Sequence, residues 1–224
     1  MDHSLINRKG YFMTEVISNK IADYMKKGSW IRKMFEEGDQ LKAQFGKENV
    51  FDFSLGNPMG EPPGKFKDAI RKALDDTTPG QHGYMPNAGF PHVREKLAEV
   101  LGKDHGVDLK GSDLIMTVGA AGAMNVALKA MLNPGDKVMI FAPYFVEYVF
   151  YIDNAGGQPV IVETDAEFNL DPAAVEAAMT PDVKALINNT PNNPTGRVYS
   201  EETLKRVGEI VDRKATEYGH PIYI

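Results

Sequence analysis

The rhythm of apolar positions changes near residue 112. Before that point the apolar residues recur every three or four positions, the spacing of a helix with one buried face. Ile21, Tyr24 and Met25 predict a helix over 18–27, and Ile31, Met34, Phe35, Leu41 and Phe45 a second over 30–45. Residues 51–55 alternate and predict a short strand, followed by a turn-rich loop over 56–63. Helices are predicted over 65–74 and 91–101, joined by an extended Gly- and Pro-bearing link over 77–89.

From residue 112 onward, short apolar runs alternate with helical stretches. Strands are predicted over 114–118, 137–141, 159–162, 183–188 and 221–224, and helices over 121–132, 145–154, 172–179 and 201–218. Asp171-Pro172 offers an N-cap followed by a first-turn proline, and Ser200 precedes Glu201 and Glu202. Asn133-Pro134-Gly135-Asp136 is a strong breaker. A βαβαβαβαβ string predicts an α/β fold, a mostly parallel sheet with right-handed crossovers and helices on both faces. The last run stops inside a strand, so the sheet is expected to be incomplete and the chain truncated.

Composition narrows the chemistry. The 224 residues suit one large α/β domain, or one domain with part of another. The formal charge of -6 is spread along the chain, with no basic patch of the kind that binds nucleic acid. Absence of cysteine excludes disulfides, thiolate metal sites and a cysteine nucleophile. The histidines at 3, 82, 92, 105 and 220 form no metal-binding pair. Residues 1–13 have no apolar signal core, and the most apolar stretch, 138–152, is too short to span a bilayer and is broken by Pro143 and Glu147. A cytoplasmic protein is the expectation.

Four loops could carry chemistry. Thr117-Val118-Gly119-Ala120-Ala121-Gly122 stands between a predicted strand and a helix, where small residues and free N–H groups favour an anion, or simply let the helix pack closely. Asn192-Asn193-Pro194-Thr195-Gly196 follows a strand's carboxyl end, where open α/β sheets hold ligands. Prolines there can hold an Asn amide rigidly, although such a sequence is also an ordinary turn. Ala142-Pro143-Tyr144-Phe145 places an aromatic at another strand end, able to stack on a flat heterocycle or to fill core. Tyr84-Met85-Pro86 with Gly89 forms a loop bearing a phenol.

Together and in this order, these pieces resemble the class I and II aminotransferases of fold type I, which use pyridoxal 5'-phosphate. The resemblance also rests on Leu55-Gly56-Asn57-Pro58 and Pro134-Gly135-Asp136. It runs from about residue 15 onward and covers roughly the N-terminal half of a family chain.

The resemblance implies residues 1–56 as an N-terminal arm and part of a small domain, and 57–224 as the cofactor-binding large domain, incomplete at its C-terminus. It implies that Gly119, Ala120 and Ala121 hold the cofactor phosphate, that Phe145 stacks on the pyridine ring, and that Asn193 donates to the ring's phenolic oxygen. Tyr84 would reach the partner's cofactor phosphate in a homodimer, and Gly56 would meet the substrate carboxylate. Two departures stand out. Ala120 and Ala121 replace the Ser, Thr or Lys of many relatives. Phe145 replaces the Trp usual in aspartate-specific relatives, keeping the stacking surface but losing the indole N–H, which argues against aspartate as substrate.

The implied activity is transamination between an amino acid and a 2-oxo acid. Alternatives are a C–S lyase or cyclase on the same fold, or a non-catalytic α/β binding module. The family's Schiff-base lysine, its pyridine-pairing carboxylate and its substrate arginine would all fall beyond Ile224. Lys205 and Lys214 lie off the apolar stripe of the last helix and are expected to be solvated. The chain is therefore expected to be inactive alone, with no catalytic residue assigned and no metal.

Overall fold

The computed structural model describes residues 17–53, 56 and 60–224, with only the backbone of 27–33 and 35. Its contacts divide it into two compact units, Met1–Gln81 and His82–Ile224.

In the first unit, α1 (Asn19–Phe45) is one continuous helix where two were predicted. Ser18 caps it by accepting from the Ile21 N–H at 3.3 Å. The break expected at Gly28 and Ser29 does not occur, since an interior glycine costs a helix only about 1 kcal/mol relative to alanine. The side chains of Ile31 and Phe35 lie outside the described residues. Residues 51–53 form no strand, and Phe51 and Phe53 are 81% and 93% exposed. Residues 54 and 55 lie outside the description. α2 (Gly64–Leu74) forms as predicted.

The second unit begins with α3 (Pro91–His105), which has proline in its first turn and ends on Gly106. Residues 114–118, predicted as a strand, form none. A strand needs a neighbour to take its N–H and C=O groups. Here the Met116 N–H donates to Ala88 O, a loop carbonyl, at 3.0 Å, and Thr117 O accepts from the nearby Gly119 N–H at 3.0 Å. Gly89 makes the approach of Met116 to Ala88 possible: its φ is +96°, and a Cβ there would stand 2.8 Å from the Met116 Cβ.

Beyond this lie α4 (Gly119–Met131), β1 (Lys137–Ala142), α5 (Glu147–Asn154), β2 (Gln158–Glu163), α6 (Pro172–Ala178), β3 (Val183–Ile187) and α7 (Glu201–Tyr218). The strands are parallel in the order β2-β1-β3. Of the predicted run 221–224, Tyr223 makes a parallel bridge to Ala185 on the far side of β3.

Alternation along β1 explains why helices cover both faces. Val138 and Ile140 point to one side and pack with Leu128, Leu132, Ile152 and Ala155 from α4, α5 and their ends. Met139 and Phe141 point to the other and pack with Val175, Val207, Ile210 and Val211 from α6 and α7. Successive side chains of a strand face opposite ways, so a strand buried on both sides must be apolar throughout. Val138, Met139 and Ile140 are completely buried. The caps read from the sequence form: Asp171 accepts from the Ala173 N–H at 2.9 Å and Ser200 from the Thr203 N–H at 3.1 Å.

α7 corrects one expectation. Lys205 is solvated and pairs with Glu201 at 2.7 Å. The Lys214 side chain, however, is only 16% exposed. It pairs with Glu217, and its ammonium lies 5.4 Å from the centre of the Tyr218 ring. An aliphatic stem laid over an aromatic one turn away hides a lysine that lies off the apolar stripe.

Candidate functional site

The candidate site is built at the carboxyl ends of the parallel strands, where each strand passes into a loop. Two hydrogen bonds tie these loops together, and a weaker charge interaction acts between two of them. The loop after β2 is fixed to the end of β1 by Thr164, whose hydroxyl donates to Ala142 O at 2.7 Å. The loop after β3 is fixed to the loop after β1 by Asn192, whose Nδ2 donates to Pro143 O at 2.9 Å. Asp165, next to Thr164, feels the charge of Arg197 from the loop after β3.

Asn192 also closes its own loop. Nδ2 donates to Thr195 Oγ1 at 3.0 Å, its N–H to Arg197 O at 2.8 Å, and its carbonyl accepts from the Gly196 N–H at 2.7 Å. The next residue, Asn193, has its N–H held by Asn189 Oδ1 at 2.8 Å and lies exposed. Phe145 is half-buried and meets Tyr148 edge-on, with ring centres 5.6 Å apart. Burial raises the Tyr148 hydroxyl above its ordinary pKa, and the proximity of Tyr151 adds to the rise. Tyr148 therefore stands neutral beside Phe145 at physiological pH. Phe145 and Asn193 thus sit in two loops joined by one buried side chain.

The small-residue turn lies at the same end of the sheet. α4 has 13 residues, about 20 Å at 1.5 Å each. β1 has 6 residues, also about 20 Å at 3.3 Å each. A tight turn joins the end of α4 to the start of β1, and Leu128 and Leu132 pack against Val138. Helix and strand therefore run antiparallel, and the start of α4 stands level with the carboxyl end of β1.

Gly119 begins α4 with φ +67°, a conformation that favours glycine. Its N–H turns back to Thr117 O at 3.0 Å, and the Thr117 hydroxyl donates to Gly119 O at 3.0 Å. The first N–H inside the helix proper to find an acceptor belongs to Gly122, which donates to Val118 O at 3.3 Å. The N–H groups of Ala120 and Ala121 have no acceptor among the described residues. Both residues are exposed, so their amides and the positive end of the helix dipole are open to an anion.

Of the other predicted site residues, Tyr84 is fully exposed, with no packing to hold its ring. Gly56 is exposed in the first unit, and a Cβ added there would meet nothing within 4 Å. Its motif neighbours Leu55, Asn57 and Pro58 lie outside the described residues. Asn192 was not singled out from the sequence. Nothing in Asn-Asn-Pro-Thr-Gly tells which asparagine turns inward.

No His/Asp/Glu cluster suited to a metal occurs among the described residues, and no described helix is long and apolar enough to cross a membrane.

Loops at the carboxyl ends of a parallel, helix-covered sheet define an α/β protein of the kind that holds a ligand above its strands. The sequence profile of "Aminotransferase class I and II" matches residues 48–216, and the chain belongs to that family. It is 42% identical over 159 residues to the probable aspartate/prephenate aminotransferase of Thermus aquaticus, covering 70% of this chain and 41% of that protein. To the aspartate aminotransferase of Geobacillus stearothermophilus it is 35% identical over 177 residues, covering 78% and 44%. An aminotransferase crystal structure from Eubacterium rectale superposes with a TM-score of 0.85 at 36% identity, covering 92% of this chain and 53% of that one. The chain thus spans about half the length of the relatives it matches.

Proposed function

We propose that the protein is a pyridoxal-phosphate-dependent aminotransferase acting on an amino acid and a 2-oxo acid. The observation that carries this reading is the link from Asn192 to Pro143 O, which joins the loops of Phe145 and Asn193 at the strand end level with the open amides of α4. The groups present fit a flat phosphorylated pyridine. They offer two unengaged backbone donors, an aromatic face and an exposed carboxamide on a pinned backbone.

In this reading the Ala120 and Ala121 N–H groups hold the phosphate, with the dipole of α4 favouring its charge. Gly119 supplies the turn that exposes them. Phe145 presses on the ring face, and the edge of Tyr148 limits how far it can rotate. Asn193 donates its side-chain N–H to the phenolic oxygen, favouring the ionised form of that oxygen. Pyridoxal phosphate, when bound, supplies the electron sink through which an amino group is exchanged. Gly56 would offer its backbone to the substrate carboxylate.

Tyr84, exposed as a ring awaiting a partner surface would be, would reach the cofactor phosphate of a second subunit in a homodimer. Residues 1–56 would belong to the small domain and 57–224 to the large one, and the protein would work in the cytoplasm. Loss of the indole N–H at Phe145 argued against aspartate, but the relatives named for aspartate or aspartate/prephenate return it to the candidate amino acids.

No lysine after the Asn-Pro-Thr-Gly loop is placed to take the covalent role. Lys205 is solvated and paired with Glu201, and Lys214 is paired with Glu217 over the ring of Tyr218. The chain alone should therefore hold the cofactor only through non-covalent contacts. Treating it with pyridoxal phosphate and then borohydride should label no single lysine stoichiometrically on peptide mapping. One stoichiometric labelled lysine within residues 1–224 would overturn that assignment.

A further inference from the structure

We infer that Asn192 is a positioning residue of the site: its buried carboxamide sets the spacing between the face of Phe145 and the amide of Asn193. The inference rests on the cofactor reading above and extends it to a residue that touches no ligand.

Asn192 is 7% exposed and is the only buried polar or charged residue among the described residues. Burying an amide costs free energy unless its groups are bonded, and here both bonds of Nδ2 go to loops of the site. One reaches Pro143 O, two residues before Phe145; the other reaches Thr195 Oγ1 in its own loop. Asn193 follows directly, and Asn189 Oδ1 accepts from its N–H at 2.8 Å. The Asn193 backbone is thus held by the Asn189 side chain and follows directly on Asn192, whose own side chain is bonded to the entry to Phe145. Any change in the Asn192–Pro143 distance moves the stacking face relative to the phenolic-oxygen donor. Effects of that kind on ligand binding depend on both groups being present.

Asn192→Asp separates the two bonds. The size is unchanged, but a carboxylate only accepts. The Thr195 hydroxyl can turn to donate to it, so the contact within the loop survives in reverse. The Pro143 carbonyl has nothing to receive, and the link between the loops is cut. Asn192→Ser, smaller and neutral, serves as the second variant where a buried carboxylate prevents folding.

The probe is pyridoxamine 5'-phosphate, which needs no covalent bond to a lysine, measured by equilibrium dialysis against the protein, each variant, and each variant in a Phe145→Ala/Asn193→Ala background. The expected result is binding weakened about tenfold by Asn192→Asp, the ratio that loss of one buried hydrogen bond gives. In the doubly substituted background the same change should weaken the residual binding less than about threefold, because nothing remains to position. Amide hydrogen exchange should also quicken together in residues 143–148 and 192–197. Undiminished binding in Asn192→Asp, or a full tenfold loss in the doubly substituted background, overturns the inference and leaves the cofactor reading standing. Failure of the unsubstituted protein to bind the probe overturns the cofactor reading, and this inference falls with it.

Discussion

Ile140 offers the sharpest test of how the sheet supports the site. It is completely buried in the centre of β1 and packs with Leu128 of α4, the helix whose first turn carries the open amides. Its neighbour in register on β2 is Ile161, the same residue type in the same kind of strand, but 48% exposed. Ile140→Ala removes three carbons, about 2.4 kcal/mol at roughly 0.8 kcal/mol each. The cavity left behind adds to this, since the strand is held on both sides and cannot collapse into the gap. A total of about 3–4 kcal/mol follows, within the range measured for isoleucine-to-alanine changes in cores. For a domain of this length that corresponds to a melting point lower by about 10 °C. Ile161→Ala, losing less buried surface and leaving no enclosed cavity, should cost about 1 kcal/mol or less. Urea unfolding followed by circular dichroism, with both variants analysed at a common slope, gives the two values. An Ile140→Ala cost equal to or below that of Ile161→Ala would refute the two-sided packing described for β1.

Two further outcomes follow from local geometry. Gly157 sits where a Cβ would stand 2.8 Å from Leu132 Cδ1 and 3.1 Å from both Asp136 O and Ile152 Cγ2, so Gly157→Ala should destabilise by about 1–3 kcal/mol, read as a lower urea midpoint. The Asp165 carboxyl is held below its ordinary pKa first by the Asn169 N–H and then by the Asn169 side-chain amide; desolvation opposes them, and the Glu167 N–H and the charge of Arg197 add smaller lowering effects. A carboxyl depressed in the folded state stabilises fully above the ordinary carboxylate range, and that stability is lost as pH falls through the folded value. Asp165→Asn should therefore flatten the acid side of the stability–pH curve while changing its slope near neutrality little. An unchanged acid limb would show that the carboxyl titrates as in the unfolded chain.

The sequence made some elements legible because their signals are local. Apolar runs identified β1, whose central four residues are buried on both faces, and β3, where Lys184 interrupts the run at a half-buried position, and Asp171 and Ser200 marked where α6 and α7 begin. Prediction failed where the outcome depended on a neighbour. Residues 114–118 are as apolar as a strand, yet Ile115 and Val118 are 63% and 94% exposed and no strand flanks them among the described residues. The 51–55 run has the same fault in its described part. Lys214 was misplaced because a helical wheel locates a Cα, not the reach of a four-carbon stem toward Tyr218. In the site, the loop order exposed Gly119, Phe145 and Asn193 as candidates. Which amide of the Asn192-Asn193 pair turns inward is decided by Pro143 O, 49 residues away in the chain, and no local pattern encodes that.

The same loop has a bearing on chemical ageing. Asparagine side chains deamidate when the N–H nitrogen of the following residue attacks their carbonyl carbon. Asn193 is exposed, but its successor is Pro194, which has no N–H to lose in forming the ring. For Asn192 the attacking nitrogen would be that of Asn193, and it is already committed to Asn189 Oδ1. A solvent-facing carboxamide can therefore keep its nitrogen over a long protein lifetime without being shielded from water.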